Sequence, residues 1–381
     1  MLFDILLPGR ILFGPGSTYR LGEEAGRLGH RGLMVTGKKS LKETGNFERV
    51  TRPLTDARIE LVFYSEVEPE PTVDTVEEVR GLLRESGCTF VVGVGGGSVL
   101  DVAKAAAGLV GEDEPVQAYF EKPLTRPGLP WIAVPTTAGS GSEATINAVL
   151  IDRGTGRKQS IRCEFWHPAV AIVDPILTMS MSRRLTAATG MDALTHAIEA
   201  FTSRWSNALT QALAREAVTL ICRYFYTAWK VGRLREAREN MMLGSLLAGM
   251  ALNNARAGIV HALAHPLGVR LGQDHGTICA VLLPAAMHFN RPLCEDCYAE
   301  LAHAAGIVPR AVSTEEAASK LIFFVENLLS KLELPTSLGS LGLREEDIPG
   351  VVNDALPSGS LAANPRKATR EDLGGILRRL L

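Results

Sequence analysis

Five short apolar runs in the first 180 residues constrain the fold of this chain more than any other feature: Gly32-Leu33-Met34-Val35-Thr36, Ile59-Glu60-Leu61-Val62-Phe63, Phe90-Val91-Val92-Gly93-Val94, Trp131-Ile132-Ala133-Val134 and Val170-Ala171-Ile172-Val173. Each is rich in branched side chains and ends at Gly, Pro or a polar residue, the signature of buried strands. Between the second and third runs, residues 73–86 set Val76, Val79, Leu82 and Leu83 at helical spacing among charged residues. Strand, helix and strand in alternation predict a mainly parallel sheet covered by helices on both faces. From Ser182 onward the period stays near 3.6, with helices expected over 187–203, 210–231, 234–255, 260–268, 280–289, 298–305 and 314–332. Pro175 and residues 180–184 mark a boundary. The expectation is therefore an α/β domain over 1–181 and an all-α domain over 182–381, with a cleft between them and no internal repeat.

Composition removes several function classes. Forty basic and 42 acidic side chains in 381 residues leave a net charge of −2, without the basic footprint that nucleic-acid binding needs. No stretch approaches the roughly 20 apolar residues of a membrane span. The start, Met1-Leu2-Phe3-Asp4, lacks the basic and apolar regions of a signal peptide, and six cysteines are too sparse for a disulfide scaffold, so a reducing cytoplasm is expected. Cys294 and Cys297 form a lone C-x-x-C, read as chance spacing on a helix.

The chain's 37 glycines crowd into short clusters. The third strand runs into Gly95, Gly96, Gly97 and Ser98 and then into an Ala-rich helix that opens with Asp101. Main-chain N–H groups there would face a pyrophosphate at the positive end of the helix, although the spacing is not G-x-G-x-x-G. A second cluster, residues 135–145, follows the fourth strand with Thr136, Thr137, Ser140 and Thr145 among small residues. Its hydroxyls suit phosphate and ribose oxygens, and its small side chains admit a flat ring. A tight turn and a flexible Ser/Gly loop are the plainer alternatives; two such loops at strand carboxyl ends fit ligand placement in open α/β sheets better. The first strand ends in Gly37, Lys38, Lys39 and Ser40, where an NAD enzyme usually places an acid. Room, positive charge and a hydroxyl favour NADP over NAD, against the alternative of a solvated lysine pair.

In the helical half, Asp192 and His196 lie four residues apart, as do His261 and His265, and His275 follows in a polar turn. On helices that spacing puts both members of a pair on one face. One carboxylate and three imidazoles without thiolate suit Fe(II), Zn(II), Mn(II) or Co(II), with a position left open for a substrate oxygen. Histidines satisfied within a helical core are the competing reading.

Taken together, residues 95–98, 135–143, 188–199, 261–268, His275-Gly276, 281–284 and the tail Asn364-Pro365-Arg366 resemble the iron-containing alcohol dehydrogenase family, in the expected order over nearly the whole chain. The resemblance implies a dehydroquinate-synthase-like fold: an amino-terminal Rossmann-like parallel-sheet domain that binds the dinucleotide and a carboxy-terminal all-helical domain that binds the metal. It implies NAD(P)-linked exchange between a primary alcohol and an aldehyde, usually by a homodimer. Carried over by position, Asp192, His196, His261 and His275 would hold Fe(II), with Zn(II) as the alternative ion, and His265 would act beside them in proton relay. Gly95, Gly96, Gly97 and Ser98 would carry the pyrophosphate. Thr136, Thr137, Ser140, Thr145, Lys158 and Leu177 would border the cofactor, with Gly37, Lys38, Ser40 and Asp101 in the same candidate set.

The chain departs from the family pattern at three places. Gly37 stands where NAD-preferring members carry Asp. Glu70 stands where Asn is common, and its carboxylate would disfavour a nearby phosphate. Cys279 replaces a frequent Asn just after the last metal ligand. Two rival readings stay open, a zinc polyol dehydrogenase and a dehydroquinate-synthase-like lyase. The second expects several basic residues around a polyanion, and only Arg256 and Arg270 lie near the metal segments.

Overall fold

The computed structural model describes residues 3–381, which form two compact units, Leu6–Ser180 and Met181–Leu381, the second joined by residues 3–5. The first unit is built on β1 (Ile11–Phe13), β2 (Arg31–Gly37), β3 (Glu60–Val67), β4 (Phe90–Gly95), β5 (Trp131–Pro135), β6 (Asn147–Asp152), β7 (Arg157–Arg162) and β8 (Val170–Val173). Its helices are α1 (Leu21–Gly26), α2 (Ser40–Glu43), α3 (Asn46–Asp56), α4 (Val73–Ser86) and α5 (Gly97–Leu109). Six strands make one parallel sheet in the order β1-β8-β5-β4-β2-β3. β4, β5 and β8 are buried on both faces, which is why they read as unbroken apolar runs.

From β2 the chain steps outward to β3, then returns across β2 to β4 and proceeds in the opposite direction. The reversal of strand order therefore lies between β2 and β4, whose carboxyl ends are in register at Thr36 and Val94. A dinucleotide is expected at such a reversal. Three features escape the strand pattern: β1 is only three residues long, and β6 and β7 pair as an antiparallel hairpin outside the main sheet. β7 reads Arg-Lys-Gln-Ser-Ile-Arg, too polar to register as a strand.

The second unit is helical: α6 (Arg183–Thr202), α7 (Ala208–Lys230), α8 (Arg235–Ala255), α9 (Ile259–Leu271), α10 (His275–Ala304), α11 (Thr314–Lys331), α12 (Ile348–Ala355), α13 (Gly359–Ala363) and α14 (Arg370–Arg378). Ser182 caps α6 by accepting from the Leu185 N–H. From Gly190 to Thr202 every residue of α6 is buried, so it is a central helix wrapped by α7, α8 and α10. α9 stops at Gly272 in the left-handed region, and Asp274 caps α10 through the Thr277 N–H.

Residues 280–289 and 298–305, expected as two helices, fall on the single 30-residue α10, which ends at Ala304. Pro284 and Pro292 lie inside it, and Asn290, Arg291, Glu295 and Asp296 interrupt its apolar period. Three of those polar groups find partners. Asn290 Nδ2 donates to Asn364 Oδ1 at 3.0 Å, and Arg291 pairs with Glu295 one turn on. Cys294 and Cys297 sit on this helix; burial pushes the Cys294 thiol up to about 12 and keeps it unreactive. No described helix is long and apolar enough to cross a membrane.

Candidate metal centre and dinucleotide loops

Three helices bring the expected metal ligands to one point. Asp192 and His196 project from α6, His261 from α9 and His275 from the first turn of α10. The Nε2 atoms of His196, His261 and His275 lie 3.6, 3.8 and 3.8 Å from Asp192 Oδ1. That oxygen is buried and accepts no hydrogen bond among the described residues. The separations are too long for hydrogen bonds. They are close to the edge of a tetrahedron around an ion, about 3.4 Å when each ligand sits at ~2.1 Å. A buried carboxylate oxygen ringed by imidazole nitrogens, with no donor aimed at it, fits a divalent cation better than a satisfied helical core. His196 and His261 stack at 4.7 Å between ring centroids. His265 stands beside the cluster, half-buried, 5.5 Å from the His275 ring and 6.5 Å from that of His261. Cys279, one turn after His275, joins Asp192, His261 and His275 in a group whose donor atoms all lie within 4.8 Å of one another.

Sequence reasoning missed the group that orients His261. Glu199, two turns after Asp192 on α6, places Oε2 2.6 Å from His261 Nδ1 and accepts the Val260 N–H on Oε1 at 2.7 Å. With Nδ1 held by a carboxylate, Nε2 is left to face the centre. Asn364 supports the same turn by accepting the Ile259 N–H, which explains why the tail segment belongs to the site. The only signal for Glu199 in the sequence was its phase on α6. Glu199→Gln is expected to lower metal affinity about 10- to 100-fold while the protein stays folded. Competition with a chromophoric chelator measures this, and unchanged affinity would remove Glu199 from the site.

In the α/β unit the two glycine clusters lie side by side. The Thr136 N–H donates to Gly95 O at 2.9 Å, and a methyl group on Gly97 would stand 2.7 Å from Ser140 Oγ. No side chain caps the α5 N-terminus, so the amides of Gly97 and Ser98 point outward from its positive end. Asp101, on the second turn of α5, is buried. Its carboxylate accepts from Ser142 Oγ at 2.6 Å and from the Val149 N–H at 2.9 Å. Beside it the fully buried Lys104 donates to Ser142 O, Ser142 Oγ, Thr145 Oγ1 and Asn147 O. Burial pulls Lys104 down to about 8 and pushes Asp101 up. Thr145 thereby braces the buried Lys104. Leu177 is buried and its carbonyl accepts from Asn46 Nδ2. Lys158 is nearly buried and pairs with Glu70, so that unexpected carboxylate is neutralised within the protein.

Gly37 ends β2 and Ser40 starts α2. Lys38 Nζ lies 3.1 Å from Glu68 and 3.7 Å from Glu66, partners absent from any local reading of 36–40.

Residues 8–175 match the iron-containing alcohol dehydrogenase family, and residues 186–381 match the carboxy-terminal part of the Fe-containing alcohol dehydrogenase family. The 1,3-propanediol dehydrogenase of Klebsiella pneumoniae is 38% identical over 99% of this chain and 98% of that protein. The lactaldehyde reductase of Escherichia coli (strain K12) is 35% identical over 95% of each. The crystal structure of a 1,3-propanediol oxidoreductase superposes with a TM-score of 0.96 at 37% identity, covering all of both chains.

Proposed function

The chain belongs to the iron-containing alcohol dehydrogenase family, and from that premise we propose that it interconverts a small primary alcohol and its aldehyde with Fe(II) and NADP(H), as a homodimer in the cytoplasm. The convergence of three imidazole nitrogens on the buried Asp192 oxygen carries this reading. The ion supplies Lewis acidity toward the substrate oxygen, and the nicotinamide accepts or donates the hydride.

The remaining work falls to the protein's own side chains. Asp192, His196, His261 and His275 would hold the ion, the carboxylate offsetting part of its charge. Glu199 fixes the tautomer and orientation of His261. His265, half-buried beside the ligands, is positioned to pass the hydroxyl proton toward solvent. The amides of Gly97 and Ser98 would cradle the diphosphate, and the small residues around Ser140 would leave space for the nicotinamide ring.

Preference for NADP(H) rests on Gly37, Lys38 and Ser40. Because Glu66 and Glu68 already partner Lys38, the preference should be modest, about tenfold in kcat/KM, or roughly one charge-assisted contact. A Cβ at Gly37 would meet Ser40 Oγ and Val67 O at 3.6 Å, ordinary contact, so Gly37→Asp should fold and shift the preference to NADH. Initial rates with both cofactors on a panel of small aldehydes, before and after chelation and resupply of Fe(II) or Zn(II), test the whole reading. Activity that survives complete chelation would overturn the metal assignment, and an NADH preference in the unmodified protein would overturn the choice of cofactor.

A further inference from the structure

Cys279 is fully buried and lies one helical turn after His275, on the same face of α10. Its Sγ is 3.5 Å from His275 Nε2, and it shares the 4.8 Å cluster with Asp192 and His261. Sulfur at ~2.3 Å and nitrogen at ~2.1 Å from a common ion would stand about 3.1 to 3.8 Å apart at the ~90–120° angles of a five-coordinate ion. The thiol therefore holds the place of a neighbouring ligand, not that of a wall residue. The second observation is Asp192 itself, 6% exposed, whose Oδ1 faces this cluster without a hydrogen bond.

We propose that Cys279 is a fifth, thiolate donor to the centre and that it widens the centre's preference for the borderline ions Fe(II), Co(II) and Zn(II) over Mn(II). The inference rests on the metal reading above and adds a ligand to it. On coordination the S–H bond is replaced by a sulfur–metal bond and the proton leaves to solvent, with no change of oxidation state. One carboxylate and three imidazoles already bind Zn(II) and Co(II) more tightly than Mn(II). A thiolate adds softness to the set and raises affinity for Zn(II) and Co(II) more than for Mn(II).

The test uses the full chain, stripped with a chelator and reloaded with Co(II). The unmodified protein should show a thiolate-to-cobalt charge-transfer band in the near ultraviolet besides the visible d–d bands. Cys279→Ser and Cys279→Ala should keep the d–d bands and lose the charge-transfer band. Their Zn(II) affinity should fall about tenfold or more, while Mn(II) affinity changes much less. Thermal melts of the metal-free variants, matched to the unmodified protein, show that the fold is kept. Cobalt bound with d–d bands but without charge transfer, or with a band that persists in Cys279→Ser, would overturn the proposal and leave the four-ligand centre standing. Failure of the stripped protein to bind Co(II) at all would overturn the centre together with its fifth ligand.

Discussion

His261→Ala is expected to release the metal and to lower kcat/KM by about 10³-fold or more, since the loss of a Lewis acid removes several kcal/mol of stabilisation from the transition state. His261 occupies a junction. Its Nε2 faces Asp192 Oδ1 at 3.8 Å, its ring stacks on His196, and its Nδ1 meets Glu199 at 2.6 Å. Truncation removes one ligand, loosens a second and leaves the Glu199 carboxylate buried with one partner fewer, at a cost of about 1–3 kcal/mol or more. Loss of metal and some loss of stability should therefore appear together. Glu199→Gln separates them, because the amide keeps the volume and weakens only the support. Metal content after gel filtration, the melting temperature and kcat/KM are the measurements. A metal-free His261→Ala protein with full activity would defeat the mechanism.

The parts of this molecule legible in its sequence are those set by local periodicity. Parallel strands buried on both faces must be apolar along their whole length, so β4, β5 and β8 showed themselves, and Asp192 and His196 on α6, like His261 and His265 on α9, could only share a face. Gly95, Gly96 and Gly97 were legible because backbone exposure at a strand end requires them. What stayed hidden depends on partners distant in the chain. Glu199 gains its meaning from His261, 62 residues away, and the polar Asn290 inside α10 is paired by Asn364, 74 residues on. Lys38 reads as an available cation until Glu66 of β3 and Glu68 just after it are set against it. Asp101 accepts from a hydroxyl and an amide of residues 142 and 149, partners that no local reading of residues 95–104 supplies.

The packing of α6 against α10 makes Gly276→Ala the other severe substitution. A methyl group on Gly276 would lie 2.2 Å from the Ala188 carbonyl oxygen and 2.6 Å from its carbon. Both obstacles are backbone, so no rotamer relieves the clash, and the helices must separate by roughly 1 Å to regain ordinary contact. Gly276 follows the ligand His275 directly, and Ala188 precedes the ligand Asp192 by one turn. A shift of that size exceeds the ~0.2 Å that a metal's ligand distances tolerate. Gly-to-Ala inside a helix is ordinarily stabilising by about 0.5–1 kcal/mol, so the sign itself is diagnostic. Overpacking of about 1–3 kcal/mol should instead lower the melting temperature by several degrees and reduce metal affinity at least about tenfold. A Gly276→Ala protein that melts at or above the parent temperature and binds metal equally well would show that the two ligand-bearing helices are not held in register by this contact.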